Sequence, residues 1–417
     1  MPLLMTGRFS FRPRVVLQLF SHKAALFLLL SIVLFTKSYI LFFTDFGSER
    51  LVLDEYTNLD YANSIKNSFS YWSQDGMAYR PPVYSMLLVL IKVFVGNKII
   101  YYKIANILLS LGTIILVYSS LEKRKILAAC YVACYPPFFF LYELVLAENL
   151  AIFWVALLIK LYTLLLGTKD KRLILAFGCV SGLLALTRPE SIPFMLLAHM
   201  VLILRESRMA ISFLCMIVVV HCWLLRNYLL FQRYPLISTN AANTFYLATF
   251  PESTGTSIYS NDDIRRYPTF GKDLEIMNKM TEIERYDYYR TMGWQYLKDD
   301  PSVFLRLLPV RVGTLLVPEN TVALRLIRAD RFHLSERPFV LFVWLASLWE
   351  AMVWIGLVYL IIRRRIDLFY VSFLFGLIIT VFFVIAEARY KMQIMPSLVV
   401  AIISAFSRSG NKERYKP

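Results

Sequence analysis

Apolar positions in this chain gather into long blocks separated by short polar or charged stretches. Ten blocks stand out, near 24–43, 100–121, 126–143, 149–167, 173–187, 191–204, 209–228, 339–362, 367–386 and 392–406. Most approach the roughly 20 residues that a helix needs to cross about 30 Å of hydrocarbon. Backbone polar groups in lipid must be satisfied within the segment, so each block is expected to be helical. The pattern predicts an all-α, polytopic integral membrane protein of about ten transmembrane helices. The first block follows Arg8, Arg12, Arg14 and Lys23 and lacks a small-residue cleavage site. It therefore reads as a retained span and not as a signal peptide. The stretch PPVYSMLLVLIKVFVG is shorter and carries Lys92, which predicts an interfacial helix within the first outer loop.

Between the seventh and eighth blocks lies one long polar excursion. Its stretch from Lys272 to Lys298 has helix-forming composition rich in aromatics, and Pro301 ends the pattern. PSVFLRLLPVRVGTLLVP is expected to lie at the membrane interface. The chain divides accordingly into a transmembrane core with its first outer loop (1–231), a partly helical outer segment (232–338), and C-terminal spans with a basic tail (339–417).

Composition sharpens this picture in two places. Residues of hydrophobic type make up 58% of the chain, above the roughly half expected of a soluble domain. The net charge of +16 raises the question of nucleic acid, but the basic residues sit in short clusters between apolar blocks. Lys123–Lys125, Lys169–Arg172, Arg205 with Arg208, and Arg363–Arg365 all fall on one side when the ten spans are threaded. That is the positive-inside pattern, so membrane lipid, and no nucleic acid, is the expected partner. It predicts a multi-pass protein of the plasma (inner) membrane with both termini cytoplasmic.

The opposite span ends carry the candidate chemistry. They hold Asp54 and Glu55, Arg80, Glu148, Arg188 and Glu190, Arg226 and Asn227, then Glu387, Arg389, Tyr390 and Lys391. Any one of these reads equally as an interfacial anchor. Several carboxylates and arginines at one level point to a cavity that handles an anion and a proton. Asp54 opens a helical pattern, where a carboxylate serves as a cap or as a general base. Glu55 shares the base role or simply favours the helix dipole. Arginine offers a planar fork of donors suited to phosphate. The five cysteines lie in apolar segments and the four histidines are scattered, so neither supplies metal-ligand spacing. No Walker loop or GxGxxG is present, and no cofactor is indicated. A divalent ion on Asp54 and Glu148 stays open as the alternative.

In chain order the sequence carries DEYTNLDYA, RPPVYSMLL, YYKIANILLSLGTIILVY, AEN, TRPE, WLLRNYLLFQRYPLISTNAANTFYLA and EARYKMQIMPSL. These segments resemble the GT-C superfamily of membrane glycosyltransferases, in particular the branch of protein O-mannosyltransferases and lipid A aminoarabinose transferases. The resemblance implies that Asp54 is the catalytic base. It implies that RPPVY lies beside the lipid donor and that ARYKMQIMP is the polar start of the last conserved span. Arg80, Tyr84, Lys103, Glu148, Arg188, Arg226, Arg389 and Tyr390 are accordingly the candidate residues for binding the donor phosphate or substrate. The reaction it implies is inverting transfer from a polyprenyl-phosphate sugar to a glycan, lipid or protein acceptor on the periplasmic or extracellular side. Lys103 departs from the family, whose members commonly have Arg there, and no sizeable soluble domain follows the last span. A transporter or flippase of lipid-linked sugars is the main alternative, and a non-catalytic scaffold of envelope assembly is the third.

Overall fold

The computed structural model describes residues 22–43, 51, 53–68, 70–234, 237–256, 266–328, 336–363 and 365–412. Arg8, Arg12, Arg14, Arg364 and the last five residues of the basic tail lie outside them. The described residues form an all-α, polytopic membrane bundle.

In chain order the helices are α1 (His22–Phe43), α2 (Leu53–Ser68), α3 (Pro82–Phe94), α4 (Ile99–Ser119), α5 (Lys125–Cys134) and α6 (Pro136–Leu141). The chain continues through α7 (Glu148–Leu165), α8 (Lys171–Ala185), α9 (Ile192–Arg205), α10 (Ala210–Phe231) and α11 (Asn240–Thr249). Then come α12 (Pro268–Met277), α13 (Glu282–Asp299), α14 (Val303–Leu316), α15 (Thr321–Arg328), α16 (Glu336–Ile362), α17 (Leu368–Phe383) and α18 (Met395–Lys412). Short 3₁₀ turns cover Pro189–Ser191, Ser207–Met209 and Ala388–Ile394.

All ten predicted blocks are helical, but only six, among the described residues, are long and apolar enough to cross a membrane unaided. The other four are covered by helices of 6 to 16 residues, with the third block split into two. That split corrects the single span expected over 126–143. Pro136 and Pro137 cause it: the residue before a proline avoids the helical region, and Tyr135 is extended at φ −65°, ψ 115°. In the first loop α3 has 13 residues, about 20 Å of helix and too short to span. Pro82 occupies its first turn, where a missing N–H costs nothing.

Packing is closest where glycine removes a side chain. A Cβ on Gly376 of α17 would lie 2.2 Å from the Phe194 Cα of α9, and one on Gly178 of α8 would lie 2.2 Å from the Ser212 carbonyl of α10. Close backbone approach of this kind is how helices associate without a hydrophobic drive between them. The main core joins α4 to α9 with α16, α17 and α18 around residues such as Val155, Phe177, Phe373 and Leu398.

The segment between α10 and α16 builds a cap whose core of Tyr246, Phe250, Val303, Phe304 and Leu307 also takes in Ile385, just after α17. The single helical stretch expected over 272–298 is interrupted at 278–281, where Thr281 and Glu284 form a capping box that starts α13. Buried Asp273 accepts hydrogen bonds from the hydroxyls of Tyr246, Tyr288 (2.8 Å) and Tyr296 (3.2 Å), tying α11, α12 and α13 together. The fully buried Arg311 donates to the carbonyls of Ala248 and Phe382, both at 2.6 Å. It thereby satisfies the C-terminal turns of α11 and α17, which carry the negative end of each helix dipole. These two helix ends form part of the site's wall.

Candidate functional site

At one end of the bundle the start of α2, the start of α7, the α8–α9 turn, α11, α15 and the turn before α18 converge on a cavity of about 1060 Å³. Its ionised lining consists of Asp54, Glu148, Glu190 and Glu387 against Arg80, Arg188, Arg325 and Arg389, four carboxylates and four guanidiniums.

Asp54 is at the centre. It lies in the first turn of α2, where the helix dipole favours a carboxylate. Its Oδ1 accepts from Arg80 Nη2 at 2.6 Å, and its Oδ2 meets Arg325 Nη1 at 2.8 Å and Arg389 Nη1 at 3.0 Å. Burial pushes its carboxyl pKa upward, but Arg80, Arg325 and Arg389 outweigh burial and hold it well below the usual carboxylate range. Asp54 is therefore ionised throughout the neutral range and weakly basic while those partners remain.

Arg389 continues the network. Its Nη1 lies 3.1 Å from Glu148 Oε1 and its Nε bonds Glu387. Arg188 Nη1 also reaches Glu148 Oε1 at 3.1 Å, and its other end pairs with Glu190. Among the described lining residues two buried donors, Arg80 Nε and Arg188 Nε, and one buried acceptor, Glu148 Oε2, have no hydrogen-bond partner. Leaving buried donors unfilled is costly, so this lining is chemically suited to an incoming acceptor-rich group. The Arg188 guanidinium also sits 5.9 Å from the Tyr390 ring centroid.

Of the residues singled out in the sequence, Asp54, Arg80, Tyr84, Glu148, Arg188, Arg389 and Tyr390 meet in this cavity, with Glu190 and Glu387. Glu55, Lys103 and Arg226 do not line it. Glu55 is fully buried and accepts the Val145 amide at 2.7 Å. Helical periodicity explains the divergence, since neighbours on a helix point about 100° apart. Lys103 pairs with Glu143 at 2.8 Å, both side chains nearly inaccessible. Around them Asn58, Asn106 and Asn149 donate to the carbonyls of Val145 and Leu144, which satisfies the irregular 142–147 backbone and sets the position of Glu148.

Arg226 lies over Trp223 and Tyr71, with centroid distances of 4.7 and 5.4 Å, and donates to the carbonyls of Met77 and Tyr71. It braces the loop that delivers Arg80. Glu282 braces the same loop from the cap, accepting the Met77 and Ala78 amides at 2.5 and 2.9 Å. Gly76, at φ +142°, permits this contact because a Cβ there would overlap the Glu282 carboxylate.

Arg325 was missed in the sequence because it lies in a segment read only as outer loop. The available signal was local: Val322, Ala323 and Leu326 form a buried helical face beside it. A second buried cluster holds that helix in place. Lys391 meets Glu350 at 2.6 Å and donates to the carbonyls of Leu315 and Val317. Glu350 accepts from the Tyr135 hydroxyl at 2.5 Å and the Glu319 amide at 3.0 Å, and Glu319 accepts the Val322 amide at 3.2 Å. Lys391 is thus a strut under α15 and lies outside the cavity lining.

No family model matches the sequence, and no curated protein matches it. The solved structures similar to this chain include two of ArnT from Cupriavidus metallidurans. The one bound to undecaprenyl phosphate is 12% identical, aligns 94% of this chain with 80% of that chain, and gives a TM-score of 0.45. The one in the apo state is also 12% identical, aligns 91% of this chain with 77% of that chain, and gives a TM-score of 0.43.

Proposed function

We propose that this protein is an inverting glycosyltransferase that moves a sugar from a polyprenyl-phosphate donor to an acceptor on the outer face of the plasma membrane. The observation that carries this reading is the convergence of Asp54 with Arg80, Arg325 and Arg389 in a cavity at the end of a membrane bundle. A carboxylate base and a set of guanidiniums are the two groups the reaction needs. Asp54 takes the proton of the attacking hydroxyl or amine of the acceptor as that group bonds to the anomeric carbon. The bond from that carbon to the phosphate oxygen breaks, with its electron pair going to the phosphate. The arginines stabilise the charge that develops there. Attack from the face opposite the leaving phosphate inverts the anomeric centre.

The test is transfer by purified protein in lipid nanodiscs, using a panel of labelled polyprenyl-phosphate sugars with glycan, lipid and protein acceptors. The expected products are an inverted glycoside and free polyprenyl phosphate. Movement of intact lipid-linked sugar across vesicles with no polyprenyl phosphate released would instead support a transporter. The side of the membrane is checked separately. In a cysteine-free background, reporters at Lys123 and at Gln295 on α13 are expected to label from opposite sides, Gln295 from outside. Labelling of both from one side would overturn the outward placement of the cavity.

A further inference from the structure

The cavity presents a problem for any anionic ligand: its four arginines are already matched by four carboxylates. Among the described residues, a phosphodiester entering this site finds no surplus positive charge in the lining unless a resident carboxylate gives up its partners. Asp54 is the carboxylate placed to do so. It engages three of the four arginines, drawn from three separate segments: the loop before α3, helix α15 and the turn before α18. Its side chain keeps 17% exposure, whereas that of Glu148 keeps 1%. Glu148 and Glu387 pair with Arg188 and Arg389 at 1% and 9% exposure, and Glu190, at 16%, engages Arg188 alone of the four arginines, so Asp54 is the exposed carboxylate that bridges several arginines. Arg80 also keeps its Nε free of any hydrogen-bond partner, a second donor beside the one Asp54 holds.

We infer that the Asp54 carboxylate occupies the seat of the donor phosphate, and that the phosphate displaces it from Arg80 and Arg325 when the donor binds. The inference rests on reading the cavity as a donor site. It assigns Arg325 as a phosphate ligand beside Arg80 and Arg389. The exchange has a chemical consequence. With Arg80 and Arg325 turned to phosphate, Asp54 loses the cations that keep it weakly basic and is released toward the acceptor. The summed charge of Asp54 and the phosphate then stays constant through the reaction, while the negative charge held by the arginines grows. Before transfer the sum is one charge on Asp54 and one on the phosphodiester. Afterwards Asp54 is neutral, having taken the acceptor's proton, and the phosphomonoester carries two. Donor binding therefore precedes base function, which guards the site against activating water when no donor is present.

The test uses polyprenyl phosphate without sugar, so that binding is read apart from turnover. Labelled polyprenyl phosphate is titrated into wild type, Asp54→Asn, Asp54→Ser and Arg325→Gln in nanodiscs. Removing the competing carboxylate is expected to tighten binding about tenfold in both Asp54 variants, the scale of one charge-assisted hydrogen bond. Arg325→Gln is expected to weaken it by about the same factor. Gain of affinity is not a result that a damaged fold produces. Unchanged or weaker binding in both Asp54 variants, with wild-type binding intact, would overturn the exchange and leave the donor reading standing. Absence of polyprenyl phosphate binding by every form, wild type included, would overturn the donor reading and this inference with it.

Discussion

Asp54→Asn is expected to lower the rate of sugar transfer by about 10² to 10⁴, the range typical of a lost general base. The substitution keeps side-chain size and one acceptor oxygen but removes the charge and the capacity to take a proton. The loss should appear in kcat, with KM for the donor unchanged or lower, since the removed group also competes for the arginines. Stability should fall by less than in Arg389→Ala, because Arg80 and Arg325 lose their carboxylate partner but keep 22% and 13% side-chain exposure. Asn serves a helix start about as well as Asp, and Arg389 keeps Glu148 and Glu387 as partners. Single-turnover transfer and thermal melting of the purified variant provide the two readings. Near-normal transfer by folded Asp54→Asn would show that Asp54 is an anchor for arginines and nothing more. Glu148, whose Oε2 has no hydrogen-bond partner, would then be the next carboxylate to test.

Much of this site was legible in the sequence because the membrane imposes one-dimensional order. Polar groups at the same end of successive spans are brought to one level by helix length alone, and Asp54, Arg80, Glu148, Arg188 and Arg389 were found that way. Which of those groups share a cavity depends on helix rotation and on loop path, which apolar blocks do not encode. Glu55 is adjacent to Asp54 in sequence yet turns into the bundle to hold Val145. Lys103 and Arg226 carry the right charge but are consumed by Glu143 and by the Tyr71–Met77 loop. Arg325 shows the opposite failure. It enters the site on the eight-residue α15, whose position is set by contacts from Glu319, Glu350 and Lys391, groups far apart in the chain. The ten apolar blocks were legible as helical, while helix number and length were not: Tyr135–Pro136–Pro137 interrupts one predicted span because proline chemistry overrides hydropathy.

Arg389 is the residue whose loss should be felt most broadly. One guanidinium spans Asp54 and Glu148 through Nη1 and Glu387 through Nε, and its side chain is 9% exposed. Arg389→Ala leaves Glu387 without this partner and Glu148 dependent on Arg188. Removing one partner from a buried ion pair costs about 3–5 kcal/mol, because the remaining charge stays desolvated. The alanine variant is therefore expected to melt markedly lower and to purify poorly. Arg389→Lys separates folding from function. It retains the positive charge, so stability should largely recover, but an ammonium is a point charge and cannot fork toward three carboxylates and a phosphate together. Loss of one fixed donor to a developing anion is worth about 10² to 10³ in rate, and a drop of that order is expected in Arg389→Lys at wild-type melting temperature. Transfer at the wild-type rate in a stable Arg389→Lys protein would reduce Arg389 to a structural ion-pair partner. The leaving phosphate would then be stabilised by Arg80 and Arg325 alone.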